Sequence, residues 1–250
     1  MSTLNGLIIN GIESYVASSA CAGKCRTPLV GFAAADNPFI RDLKNIANPD
    51  HYLPTDILPN AKTIVAFFVP FTPDIVQSNS NGSITSPEWA QGKVDIQKLI
   101  NELASAMKVK LAGIGINCSE NPAKEPYDSQ KFAHRWSLRH IAYACGLGTF
   151  GLNQLLITKS GCAGRFGSFV IDAQTEYNTI LQEEYCLYKI NKSCGLCVKK
   201  CPTEALTYTG IDKPKCSQHI NDITAKYFNG VREYRTCGKC ITLPCALKNP

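Results

Sequence analysis

Between residues 94 and 107 the apolar side chains Ile96, Leu99, Ile100, Leu103, Ala104 and Met107 recur at i, i+3, i+4, i+7, i+8 and i+11, one face of an α-helix. A second amphipathic helix is predicted near 5–18, and a third through "SLRHIAYAC" at 137–145. Strand-like runs rich in β-branched and aromatic residues occupy 28–35 ("PLVGFAAA"), 62–70 ("KTIVAFFVP"), 154–158 ("QLLIT") and 165–173 ("RFGSFVIDA"). Polar, turn-rich loops are expected at 78–83 ("SNSNGS") and 117–130 ("NCSENPAKEPYDSQ"), the second long enough to cover a site. After about residue 180 the regular apolar patterning stops and cysteine loops take over. The expectation is an α+β protein with a mixed α/β domain over 1–180 and a small cysteine-rich domain over 181–250.

The longest apolar run, "TIVAFFVPF" at 63–71, is far below the roughly 20 residues of a membrane-spanning helix. The first residues show no basic start, long apolar core or cleavage site of an export signal. A soluble, cytoplasmic protein without membrane association is expected. In that compartment thiols stay reduced, so 13 cysteines point to metal ligation or redox work rather than disulfides. Five of them (Cys21, Cys25, Cys118, Cys145, Cys162) scatter through the first 185 residues and eight crowd the last 65.

The eight are Cys186, Cys194, Cys197, Cys201, Cys216, Cys237, Cys240 and Cys245, the number that two cubane iron–sulfur clusters require. "CGLCVKKCP" carries C-x2-C-x3-C-P, and in two-cluster ferredoxins the cysteine before proline crosses to the other cluster. Asn191 stands where that motif has its first ligand, which leaves Cys186 as the nearest replacement. By the crossing rule Cys186, Cys194, Cys197 and Cys245 hold one [4Fe–4S] cluster, and Cys201, Cys216, Cys237 and Cys240 the other. Two four-cysteine zinc sites are the competing reading; the interleaved motifs with Cys-Pro fit cubanes better. Charge divides at the same place, with net −1 over 1–185 and +7 over 186–250. A basic face for nucleic acid is one account. The other is counter-charge, because each cluster with its four thiolates contributes about −2 and would bring the segment to about +3.

"GLGTFG" at 146–151 matches G-x-G-x-x-G, but a helix precedes it and a strand follows, the reverse of a dinucleotide-binding turn. Two readings of its glycines stay open: a close backbone approach to a large flat cofactor, or tight turns alone. Cys21 and Cys25, a C-x3-C pair, are either a redox pair or idle thiols and are left unassigned.

The segment "SLRHIAYACGLGTFGLNQLLITKSGCAGRFGSFVIDA" (137–173), followed by "CGLCVKKCPTEAL" and the lone Cys216, resembles the core of epoxyqueuosine reductases and the related reductive dehalogenases; "LPTDILPNAKTIVAFFVP" (53–70) is similar to an earlier strand region of those proteins. The resemblance covers about 50–250. It implies a nitroreductase-like α/β domain followed by a two-cluster ferredoxin-like domain, with the clusters delivering single electrons to a base-off cobamide (cobalamin). It places that cofactor against Gly146, Gly148, Gly151 and Asn153, with Arg139, Arg135 and Arg165 as candidates for its amide or phosphate oxygens. His140, Tyr143, His134 and Asp128 are the local candidates for a proton source. A low-potential donor such as ferredoxin or flavodoxin is implied, and a small-molecule or corrinoid-protein substrate. Three departures argue against tRNA as substrate. Phe132 stands where the tRNA-acting members carry their Asp proton donor, the chain stops five residues after Cys245 where those members continue into helical repeats, and the cluster motif differs at Asn191 and Cys245. The expectation is an iron–sulfur oxidoreductase reducing a bound cobamide. The alternative is an electron carrier that reduces a separate corrinoid or flavin protein and performs no chemistry of its own.

Overall fold

The computed structural model describes residues 3–124, 128, 130 and 132–250. Its centre is an antiparallel sheet of β1 (Leu29–Ala34), β2 (Thr63–Pro70) and a long returning strand, Gly164–Ile171, in the order β1, β2, returning strand. All eight residues of β2 are buried, and they alternate between two cores as the pleat requires. Val65, Phe67 and Val69 pack with Ile8, Ile12 and Val16 of α1 (Leu4–Ser18) and with Ile96, Ile100 and Leu103 of α2 (Pro87–Ala112). Ile64 and Ala66 face the opposite way, onto Trp136, Leu147 and the Ile141 and Ala144 side of α3 (Leu138–Ala144). A sheet covered on both faces reads in sequence as an unbroken apolar run, which is why 62–70 stands out.

The helix predicted over 94–107 is longer at both ends. Ser86 caps it by accepting from the Trp89 N–H, Pro87 takes the first turn, and Trp89, Ala90 and Gly92 continue its buried face. Inside the glycine segment lies a short strand, β3 (Gly148–Phe150), paired with β4 (Leu156–Thr158). The returning strand is therefore β5. The expected strand at 154–158 begins later because Gln154 takes a left-handed conformation, φ 61°, and the Asn153 side chain accepts from the Leu155 N–H.

Past β5 the chain runs back along β1, where Asn178 donates its N–H to the Phe32 carbonyl and accepts the Phe32 N–H on its side chain. The cysteine-rich stretch that follows contains α4 (Lys213–Tyr227) and several single turns. Among the contacts that join it to the sheet-bearing part, two seams set the positions of cysteines. At the first, the buried Asn79 donates to the Cys237 carbonyl, Thr85 to the Thr236 carbonyl, and the Lys239 ammonium, 1% exposed, to the carbonyls of Asn79 and Asn81. The polar loop at 78–83 thus serves as a socket. At the second, the N–H groups of Cys162 and Ala163 donate to the carbonyls of Cys245 and Ala246, while Arg26 reaches the carbonyls of Phe71, Ser160 and Leu247.

Gly161 closes this second seam. It has φ +84°, and a Cβ there would lie 2.1 Å from the Ala246 carbonyl oxygen. Gly161→Ala is expected to cost roughly 1–3 kcal/mol from backbone strain alone, read by urea unfolding. Gly23→Ala, at a position with open space around the missing Cβ, should stay within about 0.5 kcal/mol of wild type.

Candidate metal centres and adjoining cavities

Cys186 follows a segment that passes β3, where the Tyr185 N–H donates to the Thr149 hydroxyl, and starts the short helix Leu187–Asn191. Lys192, in the left-handed region, turns the chain so that Cys194 and then Cys197, in the turn Leu196–Lys199, come back to the same place. Cys245 arrives from the C-terminal turn Pro244–Ala246. These four cysteines line one cavity of ≈ 650 Å³, together with Leu152, Asn153, Tyr188 and Tyr208 among others. Burial pushes the Cys197 thiol up to about 11, with the Cys245, Cys186 and Cys194 sulfurs adding to the shift. The glycine segment forms part of the wall, and the Leu152 N–H donates to the Cys186 sulfur at 3.4 Å.

The other four cysteines influence one another in the same way. Burial raises Cys216, and Cys237 and Cys201 raise it further. Cys240 is raised by burial and then by Cys237, Cys216, Cys197 and Cys201. Burial also acts upward on Cys201, but the N–H groups of Leu206, Thr203 and Ala205 outweigh it and hold this thiol below its ordinary value. The Leu206 N–H lies 3.4 Å from the Cys201 sulfur. The charge of Cys197, a member of the first set, is thus also felt at Cys240. Among the described residues no three Cys, His, Asp or Glu side chains stand at the spacing of one metal ion's ligands. A cubane is a larger body held at its corners, and the donor set fits it: four thiols around a cavity with a backbone N–H aimed at a ligand sulfur.

The predicted cofactor glycines pack tightly against the chain on the side where a Cβ would stand. A Cβ on Gly146 would meet the Thr179 carbonyl at 2.5 Å, on Gly148 the Ile157 carbonyl at 2.1 Å, and on Gly151 the Asn153 side chain at 2.8 Å. Close packing of the chain thus requires glycine at all three positions. Asn153, 4% exposed, faces the cysteines and donates to the Cys240 carbonyl at 3.3 Å. Arg139 donates to the Gln154 carbonyl, and Arg135 stacks over Tyr52 at 4.2 Å.

Arg165 bonds to Gln97, and burial, with Arg139 adding, lowers its guanidinium to about 10. Lys93 is lowered to about 8 by burial first and then by Arg165, with Arg235 also contributing. Two buried polar atoms have no partner among the described residues, His219 Nε2 and Arg235 Nε. Lys93, Arg165 and Arg235 act on one another, and the unpartnered Arg235 Nε is a donor of the kind that suits an anionic or amide-bearing ligand.

His140 and Tyr143 share a second cavity, ≈ 430 Å³, with Thr149, Phe150, Glu184 and Lys189. His134 and Asp128 lie elsewhere: the His134 carbonyl accepts from Asn48, and Asp128 pairs with Ala133 across a short bridge. Sequence reasoning did not point to Glu184, His51 or Lys239. Glu184 accepts from the Thr149 hydroxyl and the Cys186 N–H, linking this cavity to the first cysteine set. His51 donates from Nδ1 to the Tyr52 carbonyl and accepts the Ser137 N–H on Nε2, and Ser137 in turn bonds to His140. Lys239, inside "CGKC", is buried against Cys237 only because a loop far away in sequence receives it. Cys25 donates to the Cys21 carbonyl, and its thiol is pushed up to about 11 by burial, so this pair is not activated.

The fold built around these sites is shared with reductases of known structure. The epoxyqueuosine reductase from Streptococcus thermophilus superposes with TM-score 0.59 at 15% identity, over 98% of this chain and 67% of that one. An epoxyqueuosine reductase solved with an epoxyqueuosine-modified tRNA-Tyr stem loop gives TM-score 0.60 at 16% identity, over 97% and 65%. A catabolic reductive dehalogenase in complex with 3-bromo-4-hydroxybenzoic acid gives 0.58 at 14%, over 88% and 30%. At these identities the likeness is one of fold. The chain spans about two thirds of the length of the epoxyqueuosine reductases it matches. No protein-family model matches the sequence, and no curated protein does. Among the described residues no helix is long and apolar enough to cross a membrane.

Burial, with Arg139, His51 and Lys213 adding, lowers the His140 imidazole to about 4. In the unfolded chain it titrates near 6.5, so between these values the unfolded state binds more protons. His140 therefore contributes a loss of stability as pH falls from about 6.5 toward 4, and nothing above. An NMR titration should show the His140 ring neutral down to about pH 5, and the His140→Gln variant should lose that part of the pH dependence of unfolding.

Proposed function

We propose that this chain is an iron–sulfur oxidoreductase in which two [4Fe–4S] clusters pass low-potential electrons to an acceptor bound beside them. The observation that carries the reading is the convergence of Cys186, Cys194, Cys197 and Cys245, from three separate stretches of sequence, on one cavity. We call this set the proximal centre, and Cys201, Cys216, Cys237 and Cys240 the distal centre. When bound, the cubanes supply one-electron storage at low potential. The chain's own contribution is to hold the thiols in place, to aim the Leu152 and Leu206 N–H groups at ligand sulfurs, and to set the buried Lys239 cation beside the distal set. The excess of positive charge after residue 185 then serves as counter-charge to the clusters.

A cobamide is the acceptor implied by the family resemblance. Lys93, Arg165 and Arg235, with the unpartnered Nε of Arg235, favour a bound acceptor beside the glycine segment that the resemblance implies. His140, neutral at physiological pH, Tyr143 and Glu184 form the polar wall where a substrate and a proton source would meet. The tRNA of the structural neighbour is not carried over, since Phe132 stands at the position of the tRNA-acting members' acid. The same Phe132 favours a second reading, a carrier that reduces a separate corrinoid or flavin protein.

Purification under anoxic conditions, with analysis for iron, sulfide, zinc and cobalt, tests the proposal. A brown protein with about eight iron and eight sulfide per chain is expected, together with retention of added cobalamin that the Arg165→Ala variant weakens. Iron and sulfide without cobalamin binding would select the carrier. A colourless protein containing zinc alone would overturn both readings.

A further inference from the structure

Two centres of four ligands each use eight cysteines, yet nine thiols meet here. Cys162, 3% exposed, lies alongside Cys245 because the backbone N–H of Cys162 donates to the Cys245 carbonyl at 2.9 Å and that of Ala163 to the Ala246 carbonyl at 3.0 Å. The two sulfurs are 3.9 Å apart. Cys245 lines the proximal cavity, whereas Cys162 is not among its lining residues. Its sulfur therefore adjoins the Cys245 sulfur from outside that lining.

The neighbours of Cys162 fix what its sulfur can do. Asn153 accepts the Leu155 N–H on Oδ1 at 3.2 Å, so the NH2 end of its side chain points toward the cysteines. There it donates to the Cys240 carbonyl at 3.3 Å and faces the Cys162 sulfur at 3.9 Å. The Cys162 sulfur accepts on that side. Its own proton is left with the Cys245 sulfur, and a metal-bound thiolate is acceptor only. Hydrogen bonds to cluster sulfurs are among the determinants of cluster potential. A donor to a ligand sulfur draws charge away from it and favours the more negative, reduced state.

We propose that Cys162 is a positioning residue of the proximal centre, held by Asn153, that donates an S–H hydrogen bond to the Cys245 sulfur and makes that one cluster easier to reduce. The inference rests on the iron–sulfur reading given above. It assigns a task to a thiol outside the cysteine motifs and binds the sheet-bearing part of the chain to the electronics of the centre as well as to its geometry.

The test is an EPR-monitored redox titration of the anoxic holoprotein, with iron content measured on the same samples. In Cys162→Ala one of the two centres should become about tenfold harder to reduce, about 59 mV for one electron, with the other centre and the iron content unchanged. Cys162→Ser, which keeps a donor, should stay closer to wild type than Cys162→Ala. Unchanged potentials in Cys162→Ala, or Cys162→Ser shifting as far as Cys162→Ala, would overturn the inference while leaving the clusters in place. Loss of half the iron in Cys162→Ala would overturn it in favour of Cys162 as a ligand. An iron-free wild-type protein would remove the reading beneath it.

Discussion

The return of the chain's last turn onto residues 160–163 is the constraint on which the rest depends. Two backbone hydrogen bonds from Cys162 and Ala163, and the Arg26 guanidinium spread over the carbonyls of Phe71, Ser160 and Leu247, pin Pro244–Ala246 to the start of β5. Arg26 is partly buried, and burial lowers its pKa. Its hydrogen bonds to carbonyls are charge-assisted, the stronger kind. Without this seam Cys245 would have no reason to lie near Cys186, which precedes it by most of the cysteine-rich stretch. With it, the fourth thiol of the proximal set is delivered by the sheet-bearing part of the protein rather than by the local cysteine loops.

A second seam does the same for the distal set from the other side. Asn79, Thr85 and Trp89 hold the backbone and side chain around Thr236 and Cys237, and the missing side chain of Gly238 makes room for the Trp89 indole. Burying an ammonium as deeply as that of Lys239 is costly unless it is fully bonded and near negative charge. The carbonyls of Asn79 and Asn81 meet the first need, and the thiolates of a bound distal centre would meet the second. The sheet, its two helical layers and the α2 N-terminus together form a rigid frame whose purpose at this end of the molecule is to place sulfur atoms.

Local periodicity made the frame legible in the sequence, and non-local register hid the details of the sites. The strand 62–70 was readable because both of its faces are buried, and α1, α2 and α3 because each presents one apolar stripe. The start of α2 was not, since "PEWAQGK" is polar in composition and its burial of Trp89 depends on the segment around Gly238. β3 was concealed in a glycine segment whose small residues are needed for close pairing with β4 and for contact with the 178–179 backbone. Cysteine spacing proposed the two ligand sets; Cys186, Cys194, Cys197 and Cys245 are among the residues lining one cavity. Cys162 could not be found that way. Its nearness to Cys245 comes from pairing across 83 positions, which no local motif encodes.

The central claim is that Cys201, although it sits in one run with Cys194 and Cys197, serves with Cys216, Cys237 and Cys240. Iron analysis by 57Fe Mössbauer spectroscopy on the Cys201→Ser/Cys216→Ser double variant tests it most directly, compared with each single variant. If the two cysteines hold the same centre, the double variant keeps about half of the wild-type iron, as each single variant does. An iron-free double variant, with each single variant retaining half, would place them in different centres and contradict the account.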